Sequence, residues 1–489
     1  MTLLRLLLYI AIIALVLTIL IGWWKKGHKS WLMTFLQNFA GVLFIVSGMV
    51  KAIDPIGTAF KMEEYFTEFE YTFTHTWFSF LGPVFQFLSK ISLVFSVAMI
   101  LYEIILGVML IMGQRSRLIS WAFLLLVGFF TVLTGFTYLT GYVPSEASFF
   151  EFSKWGPYVV SNMRVTDCGC FGDFIKLEPK ISFFKDLGLL IPSFFFVFKH
   201  KDMHQLFTPR IRGIITTTAT LFVLLFCLNN AVWNLPVVDF RPFKVGTNLY
   251  EKREQEQAAA ATVKITGWKL KNIKTGALVE LPDKQYMSEL AKYPKSEWSV
   301  VEQIKTKPAI EATKVSDFSV TDQDGVDVAD DILTDSNDVF LVIAYKLKGD
   351  SRTEEFMLPD TLWRVDTVRT KADSFIIVKN VASIVSKSVP KVAYTWDPDY
   401  LRDYKEKVNP LMENVMKQGA KVYAIAGGAG SDMENSFKAA TNGGYDWYEA
   451  DEVLLKTIIR SNPGVVHLKA GKVLEMWHIR HLPSSLKLN

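Results

Sequence analysis

Six apolar segments in the first 235 residues constrain the fold of this chain most strongly. Each contains about 20 mostly apolar residues, which is the length an α-helix needs to cross the hydrocarbon core of a bilayer. The fifth segment is short, has Lys185 and Asp186 near its start and contains Pro192, so a tilted or partly re-entrant helix is an alternative there. The predicted spans are residues 3–23, 32–52, 91–112, 118–140, 182–198 and 213–234.

The composition changes near residue 235. Lys, Asp and Glu occur throughout the remainder of the 489-residue chain, as in an ordinary soluble domain. We therefore predict a transmembrane domain at 1–235, a Pro-containing and polar linker at 236–261, and a soluble α/β domain at 262–489. The net charge of +4 is spread over segments of mixed sign, so membrane lipid is an expected partner and nucleic acid is not.

Basic residues indicate how the spans are oriented. They are concentrated in three short loops that alternate along the chain, and such loops face the cytoplasm in multi-pass proteins. The loop at 141–181 and everything after 235 are then on the opposite side. In a bacterium, this predicts an inner-membrane protein whose large C-terminal domain is in the periplasm. The basic residues are Lys25, Lys26, Lys29, Arg115, Arg117, Lys199, Lys201, Arg210 and Arg212.

Cys168 and Cys170, two of the three cysteines, are separated by a single glycine in the predicted outer loop. Thiols at this spacing can close a small strained disulfide ring, and strained exposed disulfides exchange more readily than structural ones. The alternatives are two thiols in a tight glycine turn, a structural disulfide that closes the loop, and half of a metal site. No metal is expected, because a closed zinc site needs about four ligands and the chain has no second cysteine pair.

Two other residues bear on this pair. Asp167 does not favour the thiolate that an exchange reaction needs. Cys227 is in the sixth predicted span, where a small buried apolar residue is the main interpretation and a resolving thiol the alternative. Because no cysteine follows Cys227, we predict that any redox chemistry belongs to the membrane half.

Glu103 is a carboxylate within the otherwise apolar third span. Such a residue is costly in a membrane unless it is paired or faces a cavity, and Lys51 at the end of the second span is the nearest basic candidate. One interpretation is a structural ion pair, or a glutamate that reaches towards the membrane surface. The other is a proton acceptor beside a bound quinone, which makes Glu103 and Lys51 a hypothetical quinone site.

The cysteine motif also resembles that of a known family. Asp167-Cys168-Gly169-Cys170-Phe171-Gly172, in an outer loop after a span, resembles the signature of the MauE branch of the DoxX-like membrane proteins. The resemblance covers about residues 30–200. Other similar parts are residues 47–55 with Gly57 and Lys61, and the spacing of Glu103, Gly107 and Gly113.

This resemblance implies an α-helical bundle with a DoxX-like four-helix core, in which Cys168 and Cys170 are redox-active. Related membrane proteins pass electrons between periplasmic thiols and quinone, and MauE is associated with disulfide formation in a periplasmic partner. Gly169 and Gly172 would have a structural role in the cysteine turn. One difference is that enzymes oxidising thiols through quinone usually have a C-x-x-C pair and a second, shuttling pair, which this chain lacks.

The soluble half resembles a thioredoxin-like domain from about residue 316. Asn462-Pro463 stands where that fold has its cis-proline, which gives Pro463 a structural role. Residues 345–351, where that fold has its catalytic cysteines, contain none, so we expect a binding platform without disulfide exchange. Residues 351–399 are an apparent insertion. The predicted elements are strands at 338–347, 422–426, 465–469 and 472–477 and helices at 401–419 and 452–460.

Two functions follow from these features. The leading one is an inner-membrane redox-associated protein, a thiol-disulfide oxidoreductase if the pair turns over, in which Cys168 and Cys170 exchange electrons between periplasmic thiols and membrane quinone. The alternative is a non-catalytic scaffold whose thioredoxin-like domain binds a periplasmic or envelope protein, with the cysteine pair as a structural clip. A transporter is less favoured, because Glu103 is the single acid assigned to the membrane interior and no inverted repeat is evident.

Overall fold

The computed structural model describes residues 2–24, 29–74, 76–165, 168–369 and 375–488. Lys25, Lys26 and Asp167, which enter the sequence interpretation, lie outside the described residues. The chain divides into two compact units. The first comprises residues 1–247 and 251–316, and the second comprises residues 248–250 and 317–489.

Among the described residues, the first unit contains six helices that are long and apolar enough to cross a membrane. This confirms the six predicted spans and defines a multi-pass membrane protein. The fifth span is a 21-residue helix that continues through Pro192, which is long enough for a full crossing. The helices are α1 (Leu3–Trp24), α2 (Trp31–Ile53), α3 (Pro55–Thr74), α4 (Gly82–Lys90), α5 (Ser92–Met112), α6 (Ser116–Thr140), α7 (Pro179–Lys199) and α8 (Pro209–Leu228), with α3 and α4 not among the six.

Helices α2 and α5 approach each other closely through two glycines. A Cβ atom added to Gly107 would lie 2.7 Å from the carbonyl oxygen of Gly41 and 2.9 Å from Cγ1 of Ile45. Small residues let helix backbones approach in membranes, where van der Waals packing and interhelical hydrogen bonds drive association. This close contact brings Lys51 of α2 beside Glu103 of α5.

Helix α3 packs against α5 and α6, and one long loop adds to the core of the bundle. The hydroxyls of Tyr65 in α3 and Thr137 in α6 are 2.9 Å apart and hydrogen-bonded. The ring of Phe66 in α3 packs edge-on against Phe95 of α5, with centroids 5.3 Å apart. The loop between α6 and α7, residues 141–178, carries the cysteine motif, whose two cysteines belong to the main apolar cluster of the bundle.

The first unit ends with a helix and a small sheet. Helix α9 (Leu249–Ala261) occupies the second half of the predicted linker. A three-stranded antiparallel sheet of order β2-β1-β3 follows. The elements are β1 (Ile265–Asn272), β2 (Leu278–Pro282), helix α10 (Asp283–Ser288) and β3 (Trp298–Lys305).

A five-stranded mixed sheet of order β10-β9-β4-β7-β8 organises the second unit. The central strand β4 is parallel to β7 and antiparallel to β9, and its apolar residues are all buried, as expected for a strand covered on both faces. This confirms a C-terminal α/β region. Its elements are α11 (Ala329–Thr334), β4 (Asp338–Ala344), α12 (Pro398–Asp403), α13 (Asn409–Met416), β7 (Lys421–Gly427), α14 (Ser431–Thr441), β8 (Asp446–Ala450), α15 (Glu452–Ile458), β9 (Gly464–Lys469) and β10 (Lys472–His478).

Two details of this unit bear on the sequence interpretation. The predicted amphipathic helix at 401–419 is formed by α12 and α13, joined by a π-helical turn at Tyr404–Val408. The apparent insertion forms a two-stranded antiparallel hairpin of β5 (Gly349–Arg369) and β6 (Phe375–Trp396).

We expect Gly107→Ala to destabilise the bundle by about 1–3 kcal/mol, because the added methyl group meets backbone atoms of α2 that cannot move independently. Gly128→Ala in α6 is the matched control, since a Cβ atom at Gly128 meets nothing within 4 Å. Thermal unfolding of the two detergent-solubilised variants measures the difference. Equal midpoints for both variants would contradict the close packing of α2 and α5.

The second unit has a pH-dependent element at Glu434 in α14. Burial, with a smaller contribution from the charge of Glu449, raises the pKa of the Glu434 carboxyl to about 7. Because the folded-state pKa exceeds the ordinary value of 4.5, protonation favours the folded unit, and this contribution is lost as the pH rises from about 4.5 to about 7.

Glu434→Gln should therefore slow amide hydrogen exchange of α14 at pH 8, because the variant has no charge to bury. The expected stabilisation is about 1–2 kcal/mol at pH 8, and little effect is expected at pH 4.5, where the carboxyl is already protonated. Exchange rates are compared after correction for the intrinsic dependence of amide exchange on pH. Glu449→Gln, at an exposed position, is the control and should retain most of the pH dependence. An unchanged pH dependence in Glu434→Gln would contradict the assignment.

Candidate functional site

Lys51 and Glu103 form a buried ion pair between α2 and α5. Nζ of Lys51 lies 2.6 Å from Oε2 of Glu103, and the two side chains are 6% and 3% exposed. The ammonium also donates to Oγ of Ser47 at 3.3 Å and lies 4.9 Å from the ring centroid of Phe130. Lys51 is thus the partner of Glu103, as the sequence suggested, and each charge offsets the cost of burying the other.

Lys185 and Asp186 form a second ion pair, at the start of α7, in which Asp186 is buried and Lys185 is 15% exposed. Nζ of Lys185 lies 2.9 Å from Oδ1 of Asp186, and Oγ1 of Thr134 in α6 donates to Oδ2 of Asp186 at 3.0 Å. Sequence reasoning used these residues only to question the fifth span and assigned a single acid to the membrane interior. That count was wrong, because Asp186 is also buried in the bundle. Two adjacent opposite charges in an apolar segment were the available signal.

Residues 168–172 form a turn that contacts α2 and α3 and in which both cysteines are buried. Oγ of Ser47 in α2 donates to the carbonyl oxygen of Cys170 at 3.1 Å. Gly169 has φ of +61°, and a Cβ atom there would lie 2.8 Å from Cγ of Lys61 in α3, so conformation and space both require glycine. Gly172 has φ of +49°, also in the region that favours glycine. All three cysteines are buried and present as thiols.

The two ion pairs and the cysteine motif share one cavity. It has a volume of about 20 Å³, which is enough for about one water molecule. A quinone ring does not fit this space, so the structure offers no reaction step through a quinone between Lys51 and Glu103. The polar residues that line the cavity are Ser47, Lys51, Glu103, Cys170, Lys185 and Asp186.

The electrostatics of the cavity act on the Cys170 thiol in two directions. Burial raises its pKa, while the nearby Lys185 ammonium opposes the rise by favouring the thiolate. Burial is the larger effect, so Cys170 is a protonated thiol in this arrangement and a weak nucleophile. Exchange with another protein therefore requires the turn to become exposed.

Cys227 is placed apart from this cavity. It is fully buried in α8, within an apolar cluster that includes Ala52, Ile100 and Ile104. It does not line the cavity beside Cys170. These contacts favour the interpretation as a small buried apolar residue over that of a resolving thiol.

The second unit contains the predicted proline site. The Asn462-Pro463 peptide bond is cis and lies just before β9. The Asn462 amide accepts a hydrogen bond from the Tyr400 hydroxyl at 3.0 Å and donates to the carbonyl oxygen of Lys346 at 2.6 Å. The proline turn therefore adjoins the segment after β4, which contains no cysteine.

Within the described residues, no three His, Cys, Asp or Glu side chains are grouped so that they could hold a metal ion. No family model, curated protein or solved structure matches this chain. Fold and site therefore define a multi-pass membrane protein with a C-terminal soluble α/β region and a buried cluster of charges beside a C-x-C turn.

Removing one partner of the Lys51–Glu103 pair leaves an uncompensated buried charge. We expect Lys51→Met or Glu103→Gln alone to destabilise the bundle by about 3–5 kcal/mol, and the double variant to recover much of that loss. Thermal unfolding in detergent measures the four-member cycle. Lys154→Gln is the control, because its pair with Glu151 is exposed and should contribute less than about 1 kcal/mol. Strict additivity of the two single variants would contradict the pairing.

Proposed function

We propose that this protein is a thiol-disulfide oxidoreductase of a bacterial inner membrane, with its C-terminal region in the periplasm. The observation that carries the proposal is the position of Cys170, in the same cavity as two ion pairs whose carboxylates are both buried. Buried charges in a membrane are retained mainly where they have a functional or pairing role. Here Lys185 is placed to favour a thiolate at Cys170 when the turn opens.

The reaction is exchange between a disulfide of Cys168 and Cys170 and a periplasmic dithiol. A thiolate of the partner attacks one sulfur of the Cys168–Cys170 disulfide, forming a mixed disulfide and releasing the other cysteine as a thiolate. The second partner thiol then attacks the mixed disulfide, which leaves the partner oxidised and both cysteines reduced. Two electrons pass to the Cys168–Cys170 pair, and the product is the dithiol form present in the structure.

We propose a thioredoxin-like fold for the second unit, with a role in holding the partner. The order of its sheet, the parallel pairing of β4 with β7 and the cis-proline before β9 support this fold. Since the segment at 345–351 has no cysteine, this unit would contribute binding and leave exchange to the membrane unit.

A non-catalytic scaffold is the alternative function. The burial of both thiols favours it, because a shielded pair does not meet a partner dithiol. In that case the same second unit would bind envelope proteins, and the cysteine turn would only help to close the bundle. The two functions differ in whether the pair responds to an added dithiol or disulfide.

A trapping experiment separates these functions. Membranes containing wild-type protein are oxidised, treated with a reduced dithiol peptide and alkylated, and the mass shift reports the redox state of the pair. We expect the reduced peptide to convert the disulfide of the wild type to two alkylated thiols. The same peptide in its oxidised, disulfide form should be attacked by the remaining thiolate of Cys168→Ser or Cys170→Ser, which gives a mixed disulfide that the double variant does not form. Cys227→Ser is the control and should behave as wild type. A redox state that does not change with oxidant or dithiol would overturn the proposal and leave the scaffold.

A further inference from the structure

An open groove lies at the end of the bundle where α5 turns into α6, away from the residues of the cysteine site. Its volume is about 730 Å³, and its lining combines two arginines with apolar and aromatic side chains and contains no carboxylate. The lining residues are Tyr102, Arg115, Ser116, Arg117, Leu118, Trp121, Ala122, Leu125 and Gln205.

The polar end of the groove is suited to an anion. Arg115 and Arg117 are both exposed, and neither guanidinium has an ion-pair partner among the residues that the structure describes. Ser116 begins the 25-residue helix α6, and no side-chain cap is formed by Arg115 at its N-terminus. The first N–H groups of α6 therefore add a positive potential beside the two arginines.

The other end of the groove is apolar and extends along α6. Leu118, Trp121 and Leu125 recur at helical spacing and are each at least half exposed. At 1.5 Å per residue, Leu125 lies about 14 Å from Ser116 along the helix axis. The hydroxyl of Tyr102 donates to the backbone carbonyl of Ala122 at 2.9 Å, so the polar atom of this ring is satisfied within the protein.

We infer that this groove binds one anionic phospholipid, with the phosphate between Arg115, Arg117 and the N-terminus of α6 and an acyl chain along Leu118, Trp121 and Leu125. The arrangement matches the position of a lipid in a membrane, since charged groups lie at one end of α6 and apolar surface continues towards the bilayer interior. Both arginines belong to a loop that the sequence predicts on the cytoplasmic side, where anionic lipids are attracted to basic residues.

The net charge of the headgroup decides which class of phospholipid this groove should prefer. A zwitterionic phospholipid also carries an ammonium group, which would meet two guanidinium groups and no compensating carboxylate in this lining. An anionic lipid such as phosphatidylglycerol has no such group. Each basic residue near the phosphate contributes a factor of about five in affinity, so two arginines should give a preference of about tenfold or more.

Native mass spectrometry of the full chain in detergent, titrated with phosphatidylglycerol or phosphatidylethanolamine of the same acyl composition, tests the inference. We expect the wild type to retain one phosphatidylglycerol about tenfold more tightly than phosphatidylethanolamine. Arg115→Gln with Arg117→Gln should abolish this preference. The control, Lys199→Gln with Arg210→Gln, removes the same charge from basic loops on the same predicted side but outside the groove, and should keep the preference.

Two further arms complete the test. Trp121→Ser should weaken the binding of both lipids, because it removes apolar contact without changing charge, and inorganic phosphate alone should not compete measurably at concentrations that saturate the lipid. The inference is overturned if the wild type shows no preference, or if both double variants lose it equally, which would indicate diffuse attraction. Competition by inorganic phosphate at those concentrations would also overturn it, since the site would then bind the free ion.

Discussion

The buried pair of Lys51 and Glu103 is the interaction on which the membrane unit depends. Two charges within spanning helices are stable only when they meet, and they meet because Gly41 and Gly107 let α2 and α5 approach closely. The ion pair therefore requires the close approach of α2 and α5, and the two glycines allow it. Any arrangement that separates the helices also exposes two charges to lipid.

The second pair extends this constraint to α6 and α7. Asp186 is held by Lys185 and by the hydroxyl of Thr134, so three polar groups satisfy one another inside the bundle. Ser47 connects the first pair to the cysteine turn by bonding to the carbonyl oxygen of Cys170. The cysteine turn is therefore in contact with the charged residues. Substitution of a residue in either ion pair is expected to alter the position of the cysteines through these contacts.

The two ends of the membrane unit differ in chemistry. The cavity beside Cys170 is small, with room for about one water molecule, and its lining contains balanced charge. The groove at α6 is open, is lined by two unpaired arginines among the described residues and continues into apolar surface. The first suits chemistry shielded from solvent, and the second suits a ligand that is partly polar and partly apolar.

The sequence by itself determined the membrane spans and most elements of the C-terminal α/β region. It could do so because each depends on local properties, namely about 20 consecutive apolar residues for a span and periodic burial for a strand or helix. It also indicated Lys51 as the partner of Glu103, since a lone acid in a span requires a nearby cation. The hairpin of β5 and β6 was not predicted, because its strands of 21 and 22 residues are far longer than the usual length of about five or six.

Only the tertiary structure decided which residues surround the cysteine pair. Asp186 and Thr134 are 52 positions apart, and Ser47 and Cys170 are 123 apart, so no local pattern connects them. The same holds for the groove, where Gln205 joins residues of α5 and α6 from a distant part of the chain. Apolar periodicity specifies that a helix crosses the membrane, whereas the packing of helix against helix specifies which polar side chains meet inside it.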